Sequence, residues 1–178
     1  MNYKLIMTEG NDELALMNIL LDKGLLKSSK EELLAEKVFQ RRQIDGEIQF
    51  YIQMLPNEDD VDIYRVGDKL SDTLKIPQSI LSSKIRNKYD ICTLPEFEIL
   101  FILNEGLYAS YEKQKSSLKP SAFYMKCNSA YKKQSKFVNE YFGSMSNKEI
   151  RKLIDLYVQK RIKTHKKGQG SLKDLMIF

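Results

Sequence analysis

The sequence predicts an α/β protein, a mainly parallel sheet flanked by helices, with a basic helical extension towards its C-terminus. Three observations carry this expectation. Strand signals, an apolar run at residues 3–8, Val61, Ile63 and Val66, and residues 87–93, alternate with stretches of helical periodicity. Strand signals cease after about residue 113, and lysine-rich helical segments follow. The charge is also divided. Residues 1–106 carry 13 Lys and Arg against 19 Asp and Glu, net −6, whereas residues 107–178 carry 16 against 5, net +11. Strand and helix in alternation favour parallel pairing, because each crossover needs a dozen or more residues and usually a helix.

Each element follows in order. Leu5, Ile6 and Met7 form the centre of a buried strand that ends at Glu9-Gly10. Asn11 is expected to cap the first helix, with Asp12 and Glu13 suiting the positive end of its dipole. Leu14, Met17, Leu21 and Leu25 recur at helical spacing, and Gly24 with Lys27-Ser28-Ser29 ends the run. Residues 31–36 look helical, while 38–44 read as strand or loop. A short helix is expected over 47–55, stopped by Pro56 and the acidic turn at 57–60. Val61, Ile63 and Val66 mark the second strand, which ends at Gly67-Asp68. Pro77 opens a short helical stretch, and 87–93 is the third strand. From Pro95 to about residue 113 the chain is apolar nearly all round, which predicts one buried helix. Segments at 120–121, 132–142 and 150–162 look helical, the last opened by the capping box Ser146-x-x-Glu149. Residues 163–170 form a basic, glycine-bearing loop. The expected division is a core over 1–113 and a basic helical extension over 114–178 packed on it.

Composition excludes several classes. At 178 residues with 42% hydrophobic and 30% charged, the chain has material for one ordinary core. No apolar run approaches the ~20 residues that span a bilayer. Residues 1–13 lack the basic and apolar regions of a signal peptide, so a cytoplasmic location is expected. Cys92 and Cys127 have no CxxC partner and the single His165 is remote from both, which argues against a zinc site and a disulfide framework.

Acidic residues recur after the strands. Glu9 follows the first, Asp68 the second with Asp72 four residues on, and Glu96 and Glu98 lie shortly after the third. Ligands of open α/β sheets gather at the carboxyl ends of strands. Acids converging there would repel one another unless a cation held them. Mg²⁺ or Mn²⁺ accepts such hard oxygen donors, and the resulting chemistry is phosphodiester cleavage. Blander roles stand beside this one. Asp12 and Glu13 could serve only the helix dipole, Gly67-Asp68 a turn, and Pro95-Glu96 a helix opening. Glu96 and Glu98 are two apart and do not share a helix face, so at most one joins a site.

The run Thr8-Glu9-Gly10-Asn11-Asp12-Glu13 before an apolar helix resembles the opening motif of Toprim domains, the catalytic modules of topoisomerases, primases and OLD-type nucleases. The OLD branch is similar in its second Glu four positions after the first, here Glu13. Tyr64-Arg65-Val66-Gly67-Asp68 matches the second Toprim motif in one Asp and lacks the Asp-x-Asp pair, with Asp72 a possible substitute. Thr93-Leu94-Pro95-Glu96-Phe97-Glu98 is similar to the Asn-Pro-x-Phe-Glu segment of RloB-like Toprim proteins, in which comparison Glu98 matches the family glutamate. The resemblance spans about residues 3–105. It implies a Toprim-like fold, a Mg²⁺ or Mn²⁺ site and a nuclease, with a link to phage defence and a partner ATPase as further implications. Glu9, Glu13, Asp68 and Glu98 would be catalytic, and Glu9, Asp68 and Asp72 metal ligands. The alternative is a catalytically degenerate module that binds nucleic acid or a partner protein.

The basic part would deliver the polyanion. Lys113, Lys115, Lys119, Lys132, Lys133, Lys136, Lys166 and Lys167 are candidate contacts to DNA or RNA. Tyr108, Tyr111, Phe123, Tyr124, Tyr131 and Phe137 are interleaved with them, and any that were exposed could stack on unpaired bases. Lysine in excess of arginine suits phosphate contact more than base reading. His165 has no partner for acid–base or nucleophilic work.

Overall fold

In the computed structural model, residues 1–68, 72–78, 83–132, 134–161 and 169–178 are described. β1 (Asn2–Thr8) is apolar on both faces because both are covered. Leu5 and Met7 face a cluster with Val61, Ile63, Ile48 and Ile52, while Ile6 faces the larger cluster built around α1 (Asn11–Asp22). The sheet has five strands, all parallel, in the order β2-β1-β3-β4-β5. The others are β2 (Phe39–Gln40), β3 (Asp60–Gly67), β4 (Ile85–Cys92) and β5 (Gln169–Gly170). Helices flank it, as the alternation predicts.

β2 settles the two readings of residues 38–44. Two residues pair with Met7 and Thr8, and the rest is loop. Before it, residues 31–36 form two short 3-10 turns, Lys30–Glu32 and Leu34–Glu36, and no continuous helix. α2 (Gly46–Gln53) follows, capped by Asp45, whose carboxylate accepts the Ile48 amide at 3.0 Å. Pro77 is not in a helix, and residues 79–82 lie outside the described residues.

Three expectations are corrected. Asn11 is the first helical residue, and Gly10 is the N-cap, with no side chain capping it. The buried helix expected over 95–113 is two, α3 (Ile99–Asn104) and α4 (Tyr108–Glu112), parted at Gly106 with φ +71°. A left-handed residue cannot continue a right-handed helix, and only glycine takes it without a Cβ penalty. Gly106→Ala is therefore expected to cost about 1–2 kcal/mol, visible as a fall of a few degrees in Tm. An unchanged Tm would show that this turn relaxes freely.

The third correction is β5, which lies in what reads as a basic loop. It pairs Gln169 and Gly170 with Asp90 and Ile91. Two residues carry no period, so the strand is set by tertiary contact alone. Gly170 sits close to its neighbour, and a Cβ there would stand 2.6 Å from Ile91 Cδ1, so that side-chain end would have to shift.

The helices of the basic part share the larger hydrophobic cluster with the core. α5 (Pro120–Cys127), α6 (Ser135–Ser144), α7 (Asn147–Arg161) and α8 (Leu172–Leu175) bury Tyr124, Phe142, Ile154 and Leu172 in the cluster that holds α1 and α3. Residue 113 therefore does not separate two cores. Among the described residues no helix is long and apolar enough to cross a membrane.

Candidate active site

The chain runs from β1 to β2 on one side and then returns to β3 on the other. Such a reversal leaves a crevice at the carboxyl ends of β1 and β3, where open α/β sheets bind their ligands. Glu9 lies one residue past β1 and Asp68 one past β3. The Glu9 amide donates to the Val66 carbonyl at 2.9 Å, and the Thr93 amide donates to the Gly67 carbonyl at 2.9 Å. Those bonds extend the ladder by a step and bring the three strand ends together.

A cavity of about 260 Å³ opens there, lined by Glu9, Asp12, Glu13, Arg42, Asp68 and Glu98. The fold thus brings the four expected catalytic acids to one space. Glu98 is fully buried, and the Tyr131 hydroxyl donates to its Oε1 at 2.9 Å. Burial, then the Glu98 carboxylate, push ionisation of that hydroxyl well up, so it remains a donor. Glu96 is turned elsewhere. Its Oε2 accepts the Ser121 amide at 3.1 Å at the start of α5. Of the two glutamates, only Glu98 lines the cavity.

Glu13 occupies the first turn of α1, and its carboxylate lies over Gly10, where a Cβ would stand 2.6 Å from Oε2. Burial pushes its pKa up from 4.5 to about 7. Repulsion from Asp68, Asp12 and Glu9 adds to this, and a hydrogen bond from its own amide partly opposes it. The repulsion is the electrostatic signature of acids crowded with too little positive charge.

Among the described residues one cation lines the cavity. Arg42 reaches Glu9 with Nη2 2.7 Å from Oε1, while Arg41 beside it turns to Asp45 and Glu47 at the start of α2. Arg42 and Asp12 are the two cavity residues that the sequence leaves unassigned. Asp12 reads equally well as a dipole charge, and it is 6% exposed. Arg42 has a signal in hindsight, because it lies two residues past a strand end, but a two-residue β2 hides that end.

Asp72 is not brought in. Its Oδ1 takes Arg65 Nη2 at 2.8 Å and its Oδ2 takes Gln43 Nε2 at 2.7 Å, so its carboxylate is committed to a neighbouring ion pair. Arg65 first, and then burial partly opposing it, set the carboxyl below its usual range. Its expected part as a metal ligand is therefore not supported by its placement.

Among the described residues no three His, Cys, Asp or Glu side chains gather closely enough to form a metal cage. The donor chemistry still suits a hard cation. Mg²⁺ needs one or two carboxylates and keeps its waters, and mutual repulsion is what such an ion offsets. Glu9 and Asp68, at adjacent strand ends, are the residues placed to hold it.

Lys113, Lys115, Lys119, Lys132 and Lys136 are exposed and line the periphery, not the acid cavity. Lys115 pairs with Glu112 at 3.4 Å and Lys136 with Glu140 at 3.8 Å. Lys133, His165, Lys166 and Lys167 lie outside the described residues. The aromatic residues do not form an exposed stacking stripe. Tyr111, Phe123, Tyr124 and Tyr131 are buried and Phe137 is half-buried; Tyr124, Tyr131 and Phe137 pack on Phe101 of α3, and Tyr111 and Phe123 pack on each other. Searches of protein-family models, curated proteins and solved structures return no match to this chain.

Proposed function

We propose that the chain is a metal-dependent nuclease of Toprim type that cleaves phosphodiester bonds in nucleic acid. The single observation behind this reading is the convergence of Glu9, Glu13, Asp68 and Glu98 from three strand ends on one cavity that also holds Arg42. A bound Mg²⁺ or Mn²⁺ would polarise the phosphate and acidify water. The chain's own groups divide the remaining work. Glu9 and Asp68 would hold the cation, and Arg42 would be the group that meets a non-bridging phosphate oxygen. Glu13, with its proton poised near neutrality, accepts a proton from the attacking water. Glu98 is kept in one orientation by Tyr131. The surface lysines attract the polyanion from outside the cavity.

The second reading, a degenerate module that only binds nucleic acid or a partner protein, has its own observation. Glu9 is already paired with Arg42, and among the described residues no three acids gather closely enough to form a metal cage. One experiment separates the two. Purified protein is incubated with single- and double-stranded DNA and RNA in Mg²⁺, in Mn²⁺ and in EDTA, beside Glu9→Ala and Asp68→Ala. The nuclease reading expects metal-dependent cleavage that both variants lose. Cleavage unaffected by both substitutions, or salt-sensitive binding with no cleavage in any metal, overturns it.

A further inference from the structure

A second cavity of about 310 Å³ lies on the other side of the loop that carries Glu98. Residues 94–99 line both spaces. Leu94, Pro95 and Ile99 wall the second cavity, while Phe97 and Glu98 wall the acidic one. Its size falls at the lower end of the ~300–1,000 Å³ typical of small-ligand sites. Its chemistry is opposite to that of its neighbour. Tyr108, half-buried, supplies accessible ring surface, the buried Tyr111 and Tyr157 complete the wall, exposed Pro95 adds an apolar face, and Lys115 and Lys160 supply two exposed ammonium groups.

The tyrosines are held in place. The Tyr157 hydroxyl donates to the Cys92 carbonyl at 3.0 Å, tying α7 to the end of β4. Tyr111 packs edge-on against Phe123 at 5.4 Å. Lys160 Nζ stands 5.0 Å from the Tyr108 ring centroid, and Lys115 is paired only at the surface, with Glu112 at 3.4 Å. A surface pair of this kind contributes about 0–1 kcal/mol and gives way readily to a better anion.

A flat apolar group with an anion attached matches such a site. Aromatic and proline surface accepts a π-face, and two lysines accept a phosphate. We infer that this cavity is a nucleobase subsite, taking one unstacked base of a single strand with its phosphate on Lys115 and Lys160. The subsite deepens the proposed function and rests on it: one loop joins it to the acids, so a base held here sets which phosphate reaches Glu9 and Asp68.

The test is a binding measurement in EDTA, so that cleavage plays no part. The chain contains ten Tyr and no Trp, so its intrinsic emission is that of tyrosine, and a base stacking in the cavity quenches it. Wild type, Lys115→Gln, Lys160→Gln, Tyr108→Leu and the remote surface variant Lys30→Gln are titrated with a decathymidylate, with the same oligonucleotide carrying abasic positions, and with AMP. Circular dichroism checks that each variant is folded. The expected result is saturable quenching in wild type and Lys30→Gln, and binding weaker by about fivefold or more in each lysine variant. Tyr108→Leu, which keeps apolar volume but removes the ring, is expected to bind about five- to hundredfold more weakly. Abasic positions are expected to weaken wild type and to leave Tyr108→Leu unchanged. AMP bound with the same dependence on Lys115 and Lys160 supports the subsite and makes a free nucleotide its source. The inference is overturned if folded Lys115→Gln, Lys160→Gln and Tyr108→Leu all bind like wild type, or if the abasic oligonucleotide binds wild type equally well. Metal-dependent cleavage with normal binding by these variants would reject the subsite alone. Loss of binding in them with no cleavage in any metal would reject the nuclease alone.

Discussion

Glu13→Gln is expected to stabilise the protein by up to about 3 kcal/mol at pH 8 and to have no such effect at pH 4. The carboxyl is buried, and its pKa in the fold stands near 7 against an ordinary 4.5. Below about pH 4.5 folded and unfolded chains both hold this proton, and the fold bears no penalty. As the pH rises from there to about 7, the unfolded chain ionises first, folding must take up a proton, and stability falls. Above 7 the penalty is complete. Glutamine keeps the shape without the charge, so its advantage should open over that window and then remain flat. For a chain of this length it corresponds to roughly 6–12 °C in Tm. Thermal melts of both proteins from pH 4 to 8 provide the measurement. A gap that is absent at pH 8, or equally large at pH 4, would refute the buried carboxyl of Glu13 as a group with a raised pKa. Adding Mg²⁺ at pH 8 should recover part of the gap in wild type, since a cation among Glu9, Glu13 and Asp68 relieves the same repulsion.

Phe101→Ala is expected to be the most damaging single core substitution, at about 3–5 kcal/mol. Phe101 is fully buried at the centre of a ring cluster. It stacks on Tyr124 at 5.1 Å and meets Tyr131 at 5.6 Å, Phe137 at 5.3 Å, Tyr141 at 4.8 Å and Phe142 at 5.7 Å. With Phe97, also at 5.7 Å, six rings surround it, and truncation loses the transfer free energy of the ring and leaves a void that these rings cannot all collapse into. The Tm should fall by roughly 6–20 °C. The consequence reaches the site, because Tyr131 both packs on Phe101 and donates to Glu98. Phe101→Leu, which keeps most of the volume, should lose much less. Equal losses in the two variants would show that a generic apolar contact, and not the filled ring cluster, holds this region.

The three longer strands were legible because each carries apolar, β-branched or aromatic residues over seven or eight positions and is followed by glycine, proline or acids. Glu9 and Asp68 followed from them, since an acid just past a strand end has only one edge of the sheet to occupy, whereas Glu98 rested on the resemblance carried by residues 93–98. β2 and β5 were not legible. Each is two residues long, and neither alternation nor propensity exists at that length. The break at Gly106 was hidden inside a continuous apolar run, where burial on all sides masks the change of direction.

Charge shows the same division. Composition alone separated an acidic first part from a basic second part, because net charge is a sum that needs no geometry. What each charge does was decided by tertiary structure. Asp72 and Asp68 are four residues apart, yet one is bound to Arg65 and Gln43 while the other opens onto the cavity. Arg41 and Arg42 are adjacent, yet one serves α2 and the other meets Glu9. The aromatic residues among the lysines turned inward for the same reason. Periodicity states that residues share a face, and only packing against another element states whether that face meets solvent or a core.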